Sequence, residues 1–330
     1  MKPPASAKIA GTGMYVPEQI MTNEDFARIV HTNDEWIVQR TGMKERHIAE
    51  PGQATSDLAV AAAEQALRAA RLEPDQIDLI ICATITADNT LPATACWIQH
   101  RLGCSHAGGF DLTAACSGHI YGLAQARAAI LSGQARNVLV ISAEVLSSIT
   151  DYTDRSTCVL FGDGAGAAVV QASDEPGVGI LHTRTYCDGS GGDLMLLPAG
   201  GSRRPPSHET VDRRLHYMQI RGREVFRFAV EKMEELIDQC MKACGLTVDG
   251  VRLVIPHQVN TRIIDAATSR MGFPPEKVFL NIHKYGNTGG ASVAMAHHEA
   301  LSEGRLKAGD VAVLVAFGGG LTWAGAVVRH

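Results

Sequence analysis

The sequence predicts an α/β protein made of two similar halves. Three observations point there: short β-rich runs alternate with Ala-rich helical stretches, glycines punctuate the helix ends, and features of the first half recur in order in the second.

In chain order, residues 57–72 read as a helix with Leu58, Ala62, Ala66 and Ala69 on one face and Asp57 near its start. Residues 77–83 follow as a strand apolar enough to be buried on both faces. A helix over 93–102 stops at Gly103. A short strand spans 110–114, a helix spans 117–132 and ends at Gly133, and 138–143 is another apolar strand. This alternation calls for a mainly parallel sheet covered by helices.

The second half echoes the first. Leu72 and Leu79-Ile80-Ile81 have counterparts in Leu246 and Leu253-Val254-Ile255. Phe110-Asp111-Leu112, before Cys116, resembles Phe279-Leu280-Asn281, before Asn287. Phe161-Gly162-Asp163-Gly164 and the strand after it are matched by Phe317-Gly318-Gly319-Gly320 and its strand. Three echoes in one order divide the chain into residues 1–172 and 173–330. Residues 187–214, rich in Gly, Pro, Ser and Arg, break the pattern and read as a long surface loop.

Composition narrows the class of protein. The 330 residues are 45% hydrophobic and 20% charged, with a formal net charge of −5, so no global positive charge favours nucleic acid. No signal-peptide pattern opens the chain, and no run approaches the roughly 18 apolar residues of a membrane span. The eight cysteines show neither CxxC nor Cys/His metal spacing. Cys240 and Cys244 lie one turn apart on a helix face and read as packing residues. The expected setting is a reducing cytoplasm, with no membrane, nucleic-acid or metal partner.

Three polar residues stand where chemistry is expected. Cys116, in Ala114-Ala115-Cys116-Ser117-Gly118, is delivered by a strand to the first turn of a helix, where free N–H groups and the helix dipole favour the nucleophilic thiolate. A buried packing cysteine is the alternative. His257, in Ile255-Pro256-His257-Gln258, ends an apolar strand, the edge of an open sheet where ligand sites form, although a lone histidine can be structural. Asn287, in Tyr285-Gly286-Asn287-Thr288-Gly289-Gly290, lies past an expected strand and before a helix, where it could equally cap the helix. Cys116 and Asn287 hold corresponding positions of the two halves, so a pseudo-twofold axis would bring them together beside His257. The Gly162–Gly166 run lacks GxGxxG spacing and leads into a strand, which disfavours a dinucleotide loop.

These segments, with Gly164-Ala165-Gly166-Ala167, Ala316-Phe317-Gly318-Gly319-Gly320, Asn33-Asp34-Glu35-Trp36-Ile37 and Arg40-Thr41-Gly42, resemble the condensing enzymes of the thiolase superfamily. Within it, residues from about Ile9 to Arg329 are similar to the β-ketoacyl-acyl-carrier-protein synthase III family. The resemblance implies a thiolase-like fold, two pseudo-symmetric βαβαβαββ halves packed as α/β/α/β/α layers, and a homodimer. It implies that Cys116 takes an acyl group from acyl-CoA, with the N–H groups of Cys116 and Gly319 holding the oxyanion. His257 and Asn287 would then stabilise the enolate formed when malonyl-acyl carrier protein loses CO₂, the first condensation of fatty acid biosynthesis.

By the same resemblance Trp36, Arg40, Arg155 and Asn260 would serve coenzyme A, which is a substrate, so no cofactor is called for. Arg227, Arg262 and Arg270 would dock the acidic carrier protein. Leu91 stands where better-known bacterial members carry a phenylalanine closing the acyl pocket across the dimer interface. Gly289-Gly290 replaces their Ser-Ala, and Gln219-Ile220-Arg221 and the 202–214 loop also depart from the pattern. A synthase of secondary metabolism with a longer, branched or aryl primer, a chalcone-synthase-like enzyme, or a non-catalytic acyl-binding partner are the competing readings. A degradative thiolase would need a second cysteine, which Gly318-Gly319-Gly320-Leu321 lacks. A hydroxymethylglutaryl-CoA synthase would need an acid/base glutamate ahead of Cys116, and none is recognisable.

Overall fold

In the computed structural model, which describes residues 4–330, β1 (Ser6–Tyr15) is followed by β2 (Gln19–Thr22), α1 (Asn23–Ile29), α2 (Asp34–Thr41) and β3 (Glu45–Ile48). Next come α3 (Thr55–Ala70), β4 (Leu79–Ala83), α4 (Thr94–Leu102), β5 (Gly108–Leu112), α5 (Gly118–Leu131), β6 (Asn137–Glu144) and β7 (Gly164–Ser173). The remainder runs β8 (Gly179–Cys187), β9 (Met195–Leu196), α6 (His208–Asp212), β10 (Gln219–Ile220), α7 (Gly222–Ala243) and β11 (Leu253–Pro256). It ends with α8 (Thr261–Arg270), α9 (Ile282–Tyr285), α10 (Ala291–Ser302), β12 (Val311–Gly318) and β13 (Thr322–Arg329). None of these helices is long and apolar enough to cross a membrane.

Two sheets carry the architecture, in the orders β1-β7-β6-β4-β5 and β11-β12-β13-β8. Helices α5 and α10 lie between them: α5 touches β6 and β8, and α10 touches β7 and β11. On the outer faces, α3 packs on β1 and β7, and α7 packs on β12 and β13. The result is five layers, helix–sheet–helix–sheet–helix. One apolar cluster fills the middle, joining Ile120 and Leu123 of α5 to Val293 and Ala296 of α10 and to both sheets. Separate clusters lie under α3 and under α7.

The sheets are mixed rather than mainly parallel. Parallel pairing is confined to β4 with β5 and β6, and β11 with β12, whereas β7 and β13 run antiparallel to their neighbours. Strands β12 and β13 are joined by so short a turn that only an antiparallel return is possible. The strand expected before Asn287 is also absent: Val278 makes one isolated bridge to Val254, and α9 follows.

Local sequence explains the close packing. A Cβ at Gly13 of β1 would lie 2.2 Å from the Ala62 carbonyl of α3, so glycine lets strand and helix approach. Gly103, at φ +76°, ends α4 in the left-handed conformation. The 187–214 stretch is mostly irregular but holds β9 and α6, the latter capped by Ser207.

Candidate active site

Cys116, His257 and Asn287 line one cavity of about 190 Å³, whose other walls are almost entirely apolar and include Leu146, Phe161, Val225, Ile263 and Phe317. Each reaches it from a different part of the chain.

Cys116 occupies a tight turn over Ala115–Ser117, directly before α5. Its predecessor, Ala115, has φ +46°, an uncommon backbone for a residue with a Cβ. The end of β12, where the glycine run begins, lies against this turn: a Cβ on Gly318 would come 2.6 Å from the Cys116 nitrogen. The expected lowering of the thiol pKa is not found. Burial pushes it up to about 12, and the nearby Glu144 carboxyl adds to the rise. The helix start cannot offset desolvation in so enclosed a site, so Cys116 rests as a thiol.

His257 follows β11, and its backbone N–H donates to the Val315 carbonyl of β12 (2.8 Å). The ring is 1% exposed, stands edge-on to Phe317, and has Nδ1 2.6 Å from the Ser292 hydroxyl. That hydroxyl also accepts the Gln258 N–H (3.3 Å). With the Ser292 hydroxyl donating to Nδ1, the ring hydrogen sits on Nε2. Nε2 is buried and has no partner among the described residues. Burial pushes the imidazole down to about 3, so it stays neutral. The product is a fixed, neutral donor with nothing to bond except a molecule in the cavity.

Asn287 is held by its backbone. Its N–H donates to the Leu160 carbonyl (2.9 Å), and its own carbonyl accepts the Gly162 N–H (3.1 Å). The Phe161-Gly162 segment is therefore a clamp for Asn287. Beneath it, the wholly buried Arg46 donates to the Val159 carbonyl (2.9 Å) and stands over the Phe26 ring. The side-chain Oδ1 of Asn287 accepts the Gly289 N–H (2.9 Å), which leaves Nδ2 as the free end.

Family models for 3-oxoacyl-[acyl-carrier-protein (ACP)] synthase III match residues 110–189, and for its C-terminal region residues 241–330. A relative from Caldanaerobacter subterraneus subsp. tengcongensis, named beta-ketoacyl-[acyl-carrier-protein] synthase III, is 52% identical over 324 residues, covering 98% of each chain. The crystal structure of 3-oxoacyl-[acyl-carrier-protein] synthase III from Aquifex aeolicus superposes with a TM-score of 0.91 at 47% identity, covering 98% of this chain and 100% of that one. The chain belongs to the 3-oxoacyl-[acyl-carrier-protein] synthase III family. The priming β-ketosynthase of the R1128 polyketide pathway is also similar, at 35% identity and TM-score 0.91, covering 100% of this chain and 98% of that one.

Trp36, Arg40, Arg155 and Asn260 gather at the rim. The Arg155 and Arg40 guanidinium groups stand 4.9 and 5.6 Å from the Trp36 ring centre, and Asn260 Nδ2 donates to the Arg40 carbonyl (2.8 Å). Asn260 also caps α8 and lines the cavity. Arg262 stands over Phe226, a cavity residue, and Arg227 is its exposed neighbour. Arg270 differs, since its guanidinium is ion-paired with Glu234 at 2.8 Å. Leu91 is 87% exposed and lines no part of the cavity within one chain. Gly319 lines a neighbouring cavity rather than the one holding the triad.

That second cavity, about 300 Å³, shares Ile85, Ala115, Met195 and Met218 with the first and continues to Ile149, Leu196 and Leu197. Sequence reasoning gave no role to these residues. Nor did it single out Ser292, or Gln258, whose side chain accepts from the Asn281 and Ile282 N–H groups and donates to the Pro256 and Phe279 carbonyls. A polar residue beside each motif position was the available signal.

Proposed function

We propose that this chain joins an acyl-CoA primer to malonyl-acyl carrier protein by decarboxylative Claisen condensation, giving a 3-oxoacyl-acyl carrier protein and starting fatty acid synthesis. The observation that carries this reading is the unpartnered His257 Nε2 in the same apolar cavity as Cys116 and Asn287 Nδ2.

In the first stage the Cys116 sulfur attacks the thioester carbon, its proton leaves with the CoA thiol, and the acyl group stays on sulfur. The N–H groups of Cys116 and Gly319 hold the oxyanion, a role supported by the glycine loop lying against the Cys116 turn. In the second stage the malonyl carboxylate leaves as CO₂, and its bonding pair becomes an enolate whose oxygen accepts hydrogen bonds from His257 and Asn287. The enolate carbon attacks the acyl-cysteine, the new carbon–carbon bond forms, and the Cys116 sulfur is expelled as a thiolate that takes up a proton from solvent to restore the thiol. Neutral donors suit this step, because a carboxylate beside the enolate would oppose its charge.

Trp36, Arg40 and Arg155 bind the coenzyme A nucleotide, with Asn260 bracing them. Arg227 and Arg262 meet the carrier protein, and Arg270 joins them when its pair with Glu234 opens. Two chains form a homodimer, a reading favoured by the exposed Leu91, Trp97 and Phe110 around edge strand β5, and Leu91 then reaches the partner's acyl pocket. The halves 1–172 and 173–330 act as the nucleophile-bearing and donor-bearing units of a cytoplasmic enzyme that needs no cofactor.

The test is incubation with a panel of acyl-CoAs followed by intact mass, then addition of malonyl-acyl carrier protein. An acyl adduct confined to Cys116, absent in Cys116→Ala and discharged by the malonyl donor, is expected. An adduct that survives Cys116→Ala overturns the assignment. Preference for an aryl or long primer with no product from malonyl-acyl carrier protein selects the secondary-metabolic reading instead.

A further inference from the structure

Glu144, at the end of β6, is a buried acid that the condensation does not use. It is 1% exposed and has no cationic partner among the described residues. Its carboxyl accepts from the Thr86 hydroxyl (2.6 Å), the Ile85 N–H (3.1 Å) and the Thr84 hydroxyl (3.2 Å). These three residues form the loop after β4, and Ile85 lines both cavities.

On its other side the carboxyl meets the loop that carries Asn287. A Cβ on Gly289 would lie 3.2 Å from Glu144 Cγ, and one on Gly290 would lie 3.8 Å from Glu144 Oε1. The same Gly290 Cβ would be 3.1 Å from the Ala115 carbonyl, the residue before Cys116. Gly290 therefore lies between the Glu144 carboxyl and the Ala115 carbonyl of the turn bearing the nucleophile. A side chain at Gly289 would crowd the acid, so glycine there leaves room for Glu144 beside the loop.

The Glu144 charge opposes ionisation of the Cys116 thiol in an apolar interior, so the two negative charges do not form independently. We propose that Glu144 is a positioning residue that controls the ionisation of Cys116: the pair shares one negative charge, and the thiolate forms only while Glu144 holds its proton. This rests on the reading of Cys116 as nucleophile and deepens it. Glu144 is suited to the role because burial raises its pKa to about 7 against the pull of its three donors. The titratable groups that feel its charge are Cys116 from the turn before α5 and Cys82 from β4, the latter also acted on by Asp88 and Asp111; the 289–290 loop offers none.

The coupling has a distinct signature. An isolated thiol reacts about tenfold faster per pH unit below its pKa. With a shared charge, the population holding the thiolate and the protonated acid stops growing once Glu144 begins to ionise, because both single-charge forms have then lost one proton. The rate of Cys116 alkylation therefore levels off above about pH 7.

The experiment is the pH dependence of iodoacetamide alkylation at Cys116, read by peptide mass spectrometry with exposed Cys187 as internal reference. Wild type is expected to show the plateau, and Glu144→Gln to rise without a break, reacting about tenfold faster than wild type one pH unit beyond it. Glu144→Asp, which keeps the charge, retains a break and serves if the glutamine variant does not fold. An unbroken wild-type profile, a plateau that persists in Glu144→Gln, or a break lost in Glu144→Asp overturns the proposal. Alkylation needs no acyl substrate, so these outcomes are independent of whether the condensation reading stands.

Discussion

Ser292 Oγ lies 2.6 Å from Nδ1 of His257 and anchors the ring whose Nε2 has no partner among the described residues. Ser292→Ala removes the partner, frees the ring to adopt the other tautomer, and leaves the Gln258 N–H without its acceptor. A hydrogen bond of this kind contributes about 1 kcal/mol net, and misorientation of the donor adds to it, so condensation slows by about tenfold or more. Acyl transfer to Cys116 does not use His257 and should persist. Single-turnover loading and steady-state condensation, measured side by side, check this.

The glycine loop makes a steric prediction. At Gly318 an added Cβ would sit 2.6 Å from the Cys116 nitrogen, and 3.2 Å from its Cβ. Neither the turn nor the buried strand end can give way cheaply, so Gly318→Ala costs about 1–3 kcal/mol of stability by overpacking. It also displaces the amide that would meet the thioester oxyanion, and loading falls by about 10²-fold or more. Loading rate and urea midpoint together test both effects; unchanged loading in a destabilised variant would separate the loop from the chemistry.

Much of this was legible in the sequence because the signals were local. Gly103 and the apolar run at 79–83 name a helix end and a buried strand without reference to the rest of the chain. Cys116 and His257 stood out because helix starts and strand ends are the places an α/β fold offers for chemistry. Asn287, with no strand directly before it, was picked out by its place in the second half and by the family resemblance. What escaped depended on distant packing. The antiparallel course of β7 follows from its pairing with β1, more than 150 residues earlier, and no period-two pattern reports strand direction. The raised Cys116 thiol follows from an enclosure built by segments far apart in the chain, whereas the local cue, a helix start, pointed the other way. Met195 and Met218 look like any loop methionines until the fold sets them between two cavities.

Buried histidines set the acid limit of stability. Burial lowers His119 and His330 to about 4 and His257 to about 3, and holds His297 well below its ordinary value. The unfolded chain binds protons at all four near pH 6.5 while the fold does not, so their contribution is present above that pH and is lost as pH falls. Each costs about 1.4 kcal/mol per pH unit once the unfolded histidine is charged. Glu144 works in the opposite sense: raised to about 7, it stabilises the fold at low pH and loses that contribution as pH rises from its unfolded value to 7. Four groups outweigh one, so the melting temperature should drop as pH falls from 6.5 to 4.5. A melting temperature that holds steady over this window would contradict the burial of these rings as neutral groups. Scanning calorimetry in buffers of matched ionic strength measures it.

Asn287 offers the cleanest separation of the two chemical stages. Its Oδ1 already accepts the Gly289 N–H at 2.9 Å, so the orientation of the amide is fixed and Nδ2 is the end available to substrate. In Asn287→Asp the acceptor survives and the fold keeps its clamp to Leu160 and Gly162, which uses backbone alone. Only the donor is lost, and a carboxylate facing the cavity adds repulsion toward the enolate. Condensation should fall by at least about 10²–10³, the usual loss for one such donor. Acylation of Cys116 should be nearly unchanged, so the acyl-enzyme accumulates and is seen by intact mass even with malonyl-acyl carrier protein present. If the variant instead fails to load, Asn287 acts on the first stage, and the division of labour between the two halves must be redrawn.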